Sequence, residues 1–390
     1  MNVNIEFFDR EPIENLITCL HFKMDKVIYF GYSDVMTSKR QDSAKHYLKK
    51  LCGIEQVEFH VVSQRNLQSI VERLKEVLEQ ERQAGNQCFF DVTGGEDLIL
   101  VAMGILAKGH EIPLHLFDMD SEEVRMLNKW EMPGIADLAE KRKITLTLDD
   151  IIGFRGGKII YRKQKEYKNK LRNPEFEALV QKMWDVAKQD QEQWNAMSSI
   201  LKECTRYEDE SHLHVAVERK KLEGIVGKRR EFGSLRKFLD YLEPLQYVGI
   251  IKNVVENRDK LCYSYRDETL RDCLLDAGSL LELRTYYNRL NSGKYCDCRV
   301  GVHIDWDGEY MGPGMDVENE IDVMLLEGYV PVFISCKNGK VDQMALYELH
   351  TVAKRFGGKY VKKELVAGQY ISTGYRSRAE EMDILISKEG

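Results

Sequence analysis

Two hydrophobic periods alternate along the first 120 residues. Residues 2–8 ("NVNIEFF"), 26–32, 56–62, 87–92 and 112–119 are short apolar runs rich in β-branched and aromatic side chains, which predict strands. Between them lie helical stretches at 12–22, 39–51, 66–83 and 96–109. In the third of these, Leu67, Ile70, Val71, Leu74 and Leu78 recur at helical spacing. This strand–helix order predicts an α/β fold with a Rossmann-like, doubly wound parallel sheet covered on both faces. The pattern changes near Ile144. Residues 144–265 read as a mostly helical connector, with a helix at 176–189 and a winged-helix-like unit near 234–265. From 266 to 390 a helix, short strands, a hairpin, another helix and a final strand predict an α+β domain. The expected domains are therefore 1–143, 144–265 and 266–390.

Composition narrows the class. The 390 residues are 43% hydrophobic and 31% charged with only 7 prolines, ordinary for two or three globular domains. No apolar run approaches the ~20 residues of a membrane span, so no membrane partner is expected. "MNVNIEFFDREPIENL" lacks the basic-then-apolar layout of a signal peptide, and a cytoplasmic location is expected. The 9 cysteines form no CxxC pair, and Cys296 and Cys298 fit alternate strand positions, so neither a zinc site nor a disulfide framework is expected. A net charge of −7 argues against a protein that coats nucleic acid everywhere. Basic clusters at 161–172, 218–221 and 227–237 each read first as solvated helix faces.

In "DVTGGEDLILVAMG", Thr93, Gly94 and Gly95 stand directly between a strand and a helix. Two glycines permit a tight turn and close backbone approach, and the next helix offers free N–H groups to an anion. The segment is neither a P-loop nor GxGxxG, and a plain strand–helix turn explains the spacing equally well. Together with "FFDREPIENL" and "IYFGYS", however, it resembles the CARF domain, the sensor of cyclic oligoadenylates in type III CRISPR systems. The resemblance implies ligand contacts at Asp9, Arg10, Glu11 and Pro12 after the first strand, Tyr32 and Ser33 after the second, and Thr93, Gly94, Gly95 and Glu96 at the turn. Many relatives carry a lysine after the glycines. Here Glu96 and Asp97 follow, which leaves the phosphates to backbone N–H groups or to Arg10.

"ENEIDVMLLEGYVPVFISCKNG" (318–339) reads as a hairpin around Glu327-Gly328. That turn pairs Leu326 with Tyr329, Asp322 with Phe333, Glu320 with Ser335 and Glu318 with Lys337. By strand alternation Glu318, Glu320, Asp322, Ser335 and Lys337 then share one face. Carboxylates that close can share a divalent ion, and an ammonium beside them can orient water or steady developing charge. An edge hairpin with a wet polar face is the plainer reading, against which Phe333 stands. The segment resembles the PD-(D/E)xK nuclease core, with Asp322 as its first acid and Lys337 as its lysine. It departs from the pattern at Ser335, where an acid is usual; Glu320 is the candidate to supply the missing carboxylate. The resemblance also implies a metal set of Asp322, Glu282 and the Cys336 carbonyl, although Ser279-x-x-Glu282 equally fits a helix capping box. Lys359, Lys362 and Lys363 are candidate phosphate contacts, Arg376 and Arg378 weaker ones, Tyr347 and His350 lie at the helix margin, and His303 reads as structural.

The order sensor, connector, nuclease core resembles the CARF-coupled PD-(D/E)xK ancillary nucleases of type III CRISPR antiviral defence. That resemblance implies a homodimer, allosteric activation by a cyclic oligoadenylate (cyclic tetra-adenylate first), Mn²⁺ or Mg²⁺, and cleavage of DNA or RNA. Two other readings stay open. One is a cyclic-oligoadenylate-responsive, nucleic-acid-binding regulator with an inactive core; the other is a phosphodiesterase that destroys the ligand in the sensor domain.

Overall fold

The computed structural model describes residues 1–62, 66–128, 144–163, 169–309 and 317–389. They form two compact units, Met1–Gly157 and Lys158–Gly390. Part of the basic cluster at 161–172 lies outside the described residues.

The first unit runs β1 (Asn2–Phe7), α1 (Ile17–His21), β2 (Lys26–Gly31), α2 (Ser38–Tyr47), β3 (Gln56–Val61), α3 (Leu67–Gln83), β4 (Gln87–Asp91), α4 (Asp97–His110), β5 (Leu114–Asp118), β6 (Glu123–Met126) and α5 (Leu148–Phe154). Its sheet has the order β3-β2-β1-β4-β5-β6. The first five strands are parallel, and β6 returns antiparallel to β5, an edge strand that the apolar pattern does not announce. Val3, Ile5, Phe7, Ile28, Phe30 and Phe90 pack against Ile70 and Leu74 of α3 and Ile99 and Met103 of α4. The winding reverses between β1 and β4, the switch point beyond whose carboxyl strand ends ligands bind in such sheets. The helix expected at 12–22 is confined to α1. Asn15 holds the preceding loop open instead: its Oδ1 accepts from Asp9 N–H at 2.7 Å and its Nδ2 donates to the Asp9 carbonyl at 3.0 Å.

The second unit runs β7 (Lys158–Ile159), α6 (Pro174–Ala187), α7 (Gln191–Cys204), β8 (His214–Glu218), α8 (Arg219–Val226), α9 (Leu235–Tyr247), β9 (Ile251–Glu256), β10 (Lys260–Tyr265), α10 (Glu268–Leu275), α11 (Ala277–Asn291), β11 (Asp297–Asp305), β12 (Glu318–Glu327), β13 (Val330–Lys337), α12 (Gln343–Gly357), β14 (Lys362–Ala367), α13 (Thr373–Glu381) and β15 (Ile384–Ser387). A three-stranded antiparallel sheet, β8-β10-β9, sits among α7 to α10. The larger sheet has the order β15-β14-β13-β12-β11-β7, parallel across β13, β14 and β15 and antiparallel elsewhere. The stretch read as a connector is divided between the units: 144–157 belongs to the first. From Phe176 on, its apolar residues share one core with α11 and the larger sheet, reaching Trp184, Trp194, Tyr263, Leu283, Val323, Ile334 and Val366.

The hairpin register differs from the expected one by two residues. The pairs are Glu327↔Val330, Leu326↔Pro331, Leu325↔Val332, Met324↔Phe333 and Val323↔Ile334, so Gly328 and Tyr329 make the turn. Gly328 has φ 58°, the left-handed conformation that a tight hairpin turn requires at its first position. A two-residue shift preserves the faces. It does change the neighbours: Asp322 meets Ser335, and Glu320 no longer stands opposite Ser335. Phe333 is fully buried and approached by Gly357 at the end of α12, so it lies under a helix and not on a cleft wall.

Candidate active site and ligand site

The larger sheet's hairpin brings Asp322, Ser335 and Lys337 together where β12 and β13 part. Asp322 Oδ2 accepts from the Cys336 N–H at 2.6 Å and from the Ser335 hydroxyl at 3.2 Å. Its second oxygen takes no hydrogen bond among the described residues. Burial raises the Asp322 pKa above the usual carboxylate value, and the Glu320 charge adds to that; the Cys336 N–H, the Lys337 ammonium and Ser335 act against it. On β11, the pairs Val300↔Val323 and Val302↔Ile321 set Gly301 opposite Asp322. Gly301, at φ 60°, adds no side chain on that side of the carboxylate. Glu320 is exposed and pairs across the strands with His303, whose Nε2 is 3.8 Å from Glu320 Oε1.

Glu282 lies in the second turn of α11 and is buried. The capping-box reading is overturned: Asp276 caps this helix, accepting from Gly278 N–H at 3.1 Å, and Ser279 donates its hydroxyl to Asp276 at 2.7 Å. Cys336 is buried between the two acids, with Sγ 3.6 Å from Thr285 Oγ1 of α11. Burial pushes its thiol pKa well up, and the charges of Asp322 and Glu282 add to that.

The backbone around Lys337 is held by residues that sequence reasoning missed. Gly368 N–H donates to the Lys337 carbonyl at 2.9 Å. Asn338 Nδ2 donates to Asn195 Oδ1 of α7 at 2.7 Å and to the Ala277 carbonyl at the start of α11 at 2.8 Å, and Asn195 Nδ2 returns a bond to the Asn338 carbonyl at 3.1 Å. One side chain thus ties the strand carrying Lys337 to the helix carrying Glu282. An asparagine after the lysine was the only signal, and its partner lies 143 residues away.

Several expected phosphate contacts are occupied. Lys363 is buried, its pKa drawn down by burial, with its Nζ on the Met382 carbonyl and 3.4 Å from His350 Nδ1. Lys362 pairs with Glu327 at 2.9 Å, and Arg378 with Glu381 at 2.8 Å.

A divalent ion can be tested against this donor set. The described residues hold no group of three His, Cys, Asp or Glu side chains close enough to share a metal. Mg²⁺ is nonetheless commonly held through one or two carboxylates with waters completing its shell. Asp322, whose second oxygen takes no hydrogen bond among the described residues, fits an ion of that kind and not a three-carboxylate cluster.

In the first unit, the loops after β1 and β4 close on each other. A Cβ on Gly94 would fall 2.8 Å from Glu14 Oε2 and 3.2 Å from Asp9 Cβ; one on Gly95, at φ 141°, would fall 2.7 Å from Leu100. Both glycines are therefore demanded by close approach. Thr93 is spent internally: its hydroxyl donates to Asp91 at 2.5 Å and accepts from Phe117 N–H at 2.8 Å. Asp91 is fully buried. Burial works to raise its pKa, but His115, Thr18 and Thr93 hold it below the usual range. Glu11 makes a buried ion pair with Arg155 just after α5, a structural tie. Arg10 pairs in solvent with Asp34. Tyr32 packs edge-on to Phe7 at 5.5 Å, its pKa raised by burial and then by the charges of Glu96, Asp34 and Asp97. Ser33 and Glu96 are exposed beside it, while Pro12 is half-buried in the Asn15-braced loop. The mouth is thus acid-rich, with Arg10 its exposed cation.

No protein-family model and no curated protein matches the chain. Its fold, however, is shared along almost its whole length. Protein VC1899 from Vibrio cholerae superposes with a TM-score of 0.75 at 15% identity, over 99% of this chain and 94% of that one. Can2 from Sulfobacillus thermosulfidooxidans, solved in complex with cyclic tetra-adenylate, gives 0.66 at 16% identity, over 99% and 95%. Likeness at this identity establishes the fold. Among the described residues, no helix is long and apolar enough to cross a membrane.

Proposed function

We propose that the chain is a metal-dependent nuclease of CRISPR-linked defence, activated when its first unit binds a cyclic oligoadenylate, with cyclic tetra-adenylate the first candidate. The observation that carries this reading is Asp322 beside Ser335, Lys337 and the Cys336 backbone, in a fold shared with a protein that binds that ligand. Asp322 and the Cys336 carbonyl would hold Mg²⁺ or Mn²⁺, with Glu282 or Glu320 supplying further negative charge. Such an ion would supply Lewis-acid stabilisation of the attacked phosphate. Lys337 orients the attacking water and steadies charge on the phosphoryl oxygens. Ser335 and the Cys336 N–H fix Asp322, so the carboxylate does not have to reorganise during the reaction. In the first unit, the Gly94-Gly95 backbone receives the ligand at the start of α4, with Arg10 and the Tyr32–Ser33 corner at its side. A homodimer provides the two-fold symmetry that a cyclic ligand matches.

Ser335 and the lack, among the described residues, of a three-acid group favour a second reading, a ligand-responsive nucleic-acid-binding regulator whose core does not cut. Purified protein with Mn²⁺, supercoiled plasmid and labelled single-stranded DNA and RNA, with and without cyclic tetra-adenylate, separates the two. Ligand-dependent cutting that falls by roughly 100-fold or more in Asp322→Ala and in Lys337→Ala supports the nuclease. Tight ligand binding without cutting in either metal replaces it with the regulator.

A further inference from the structure

The α7–β10 segment carries a second surface. Its order is helix (α7), strand (β8), two helices (α8, α9) and two strands (β9, β10), and its antiparallel sheet runs β8-β10-β9. That is a winged helix: α8 and α9 form the helix-turn-helix, and residues 257–259 between β9 and β10 form the wing. Leu235, Phe238, Leu242 and Leu245 bury one side of α9 in the core, which leaves the opposite side open. The turn before α9 is braced by Arg229, which donates to Ser199 at 2.8 Å and Glu203 at 2.7 Å. Its neighbours project outward: Lys228 is exposed, and the Arg230 side chain is 93% exposed. Arg236 and Lys237 follow on the exposed first turn of α9. Lys228, Arg236 and Lys237 make no ion pair among the described residues. On the wing, Arg258 is exposed, between exposed Asn257 and Asp259, with exposed Lys260 opening β10.

We infer that this winged helix binds double-stranded DNA, with Lys228, Arg230, Arg236 and Lys237 on phosphates at the amino end of α9 and Arg258 on the flanking strand. The charge pattern gives the orientation. Asp240 at the middle of α9, and Glu243 and the exposed Tyr247 in its carboxyl half, line a groove of about 840 Å³ with Lys182 and Asp185 of α6. Those acids disfavour phosphate, which leaves the amino end of α9 and Arg258 of the wing as the cationic positions that face a backbone. The shape favours DNA over RNA, since the major groove of B-form DNA admits a helix and the deep, narrow one of A-form RNA does not. The assignment does not depend on whether Asp322 catalyses.

The test is fluorescence anisotropy of the full chain in EDTA, so that cutting cannot intervene. Labelled 25-base-pair DNA, the corresponding single strand and duplex RNA are compared across about 50–200 mM salt. Duplex DNA should bind best. In Lys228→Glu/Arg236→Glu/Lys237→Glu, affinity should fall tenfold or more. Each lost contact should flatten the slope of log K against log salt by about 0.9. Arg258→Glu alone, far from the helix-turn-helix core, should flatten it by one such step. All substitutions are on exposed positions, and an unchanged melting temperature confirms an intact fold. Equal binding of duplex RNA or single strands, or a triple variant that keeps the wild-type salt slope, overturns the inference. Such a failure leaves the nuclease reading untouched, and a dead core leaves this one untouched.

Discussion

At the scale of single residues, the acid-rich mouth of the first unit poses a problem for an anionic ligand, and Arg10 offers a way through it. Its partner Asp34 is exposed, with side-chain exposures of 61% and 48% across the pair. Exposed pairs of this kind are worth about 0–1 kcal/mol, so a phosphate can replace Asp34 at little cost. Arg10→Ala should therefore weaken binding of cyclic tetra-adenylate about tenfold or more, roughly the 1.5–3 kcal/mol of a charge-assisted hydrogen bond. Asp34→Asn should tighten it, since it removes a competitor and a negative charge together. Titration calorimetry on both variants checks the pair; weaker binding in Asp34→Asn would mean that Arg10 needs Asp34 to hold it in place. Glu6 offers a prediction on stability. It is fully buried, its pKa raised well above 4.5 by burial and then by Asp91, with Asn4 Nδ2 donating to it at 3.1 Å. Between its unfolded and folded pKa values the native state holds a proton that the unfolded chain has lost, so stability falls as pH rises through that window. Glu6→Gln should abolish this slope. Its melting temperature relative to wild type should rise from pH 5 to pH 8, and a constant difference would show that Glu6 ionises normally in the fold.

At the scale of elements, the clamp on Asn338 joins α7, α11 and β13. Asn338→Ala should leave the half-buried Ala277 carbonyl and Asn195 Oδ1 without their donor, a cost of about 1–3 kcal/mol. Its effect on cutting should appear in kcat with KM nearly unchanged, because the residue lies behind Lys337 and presents nothing to the substrate. A change confined to KM would place Asn338 in substrate binding instead. This clamp also marks the boundary of what was legible in the sequence. Strands and helices of the first unit follow from apolar periodicity, and the shared face of Asp322, Ser335 and Lys337 follows from strand alternation on a two-residue period. The hairpin register does not, because glycine's left-handed conformation can serve either turn position and both choices keep the same faces. Nor does the loop at 9–16, where Asn15 side-chain bonds outweigh a helical pattern, nor any partner brought together by tertiary packing, such as Asn195 with Asn338 or Glu11 with Arg155. The 144–265 stretch reads as a mostly helical connector with a winged-helix-like unit, because local periodicity does not show which distant sheet its apolar residues pack on. From Phe176 on they are nonetheless part of one continuous core with the larger sheet.

At the scale of the whole molecule, the proposed activation is a statement about free energies. A ligand in the first unit can change the second only through different affinities for two states of the protein. Coupling of this sort is reciprocal: if cyclic tetra-adenylate raises affinity for nucleic acid by some factor, nucleic acid raises affinity for cyclic tetra-adenylate by the same factor. A typical coupling of about 1–3 kcal/mol corresponds to a 5–150-fold effect, well within reach of measurement. Binding of cyclic tetra-adenylate should therefore be measured in EDTA with and without saturating duplex DNA. If the ligand acts by improving substrate binding, its dissociation constant should drop by the factor that it confers on DNA. An unchanged constant, in protein that the ligand still activates, would mean that the coupling enters at the chemical step, through the placement of Asp322 or Lys337. The Lys228/Arg236/Lys237 variant then separates the two nucleic-acid surfaces. If the winged helix is the coupled one, reciprocity should vanish with those charges; if the strand ends around Asp322 are, it should survive them.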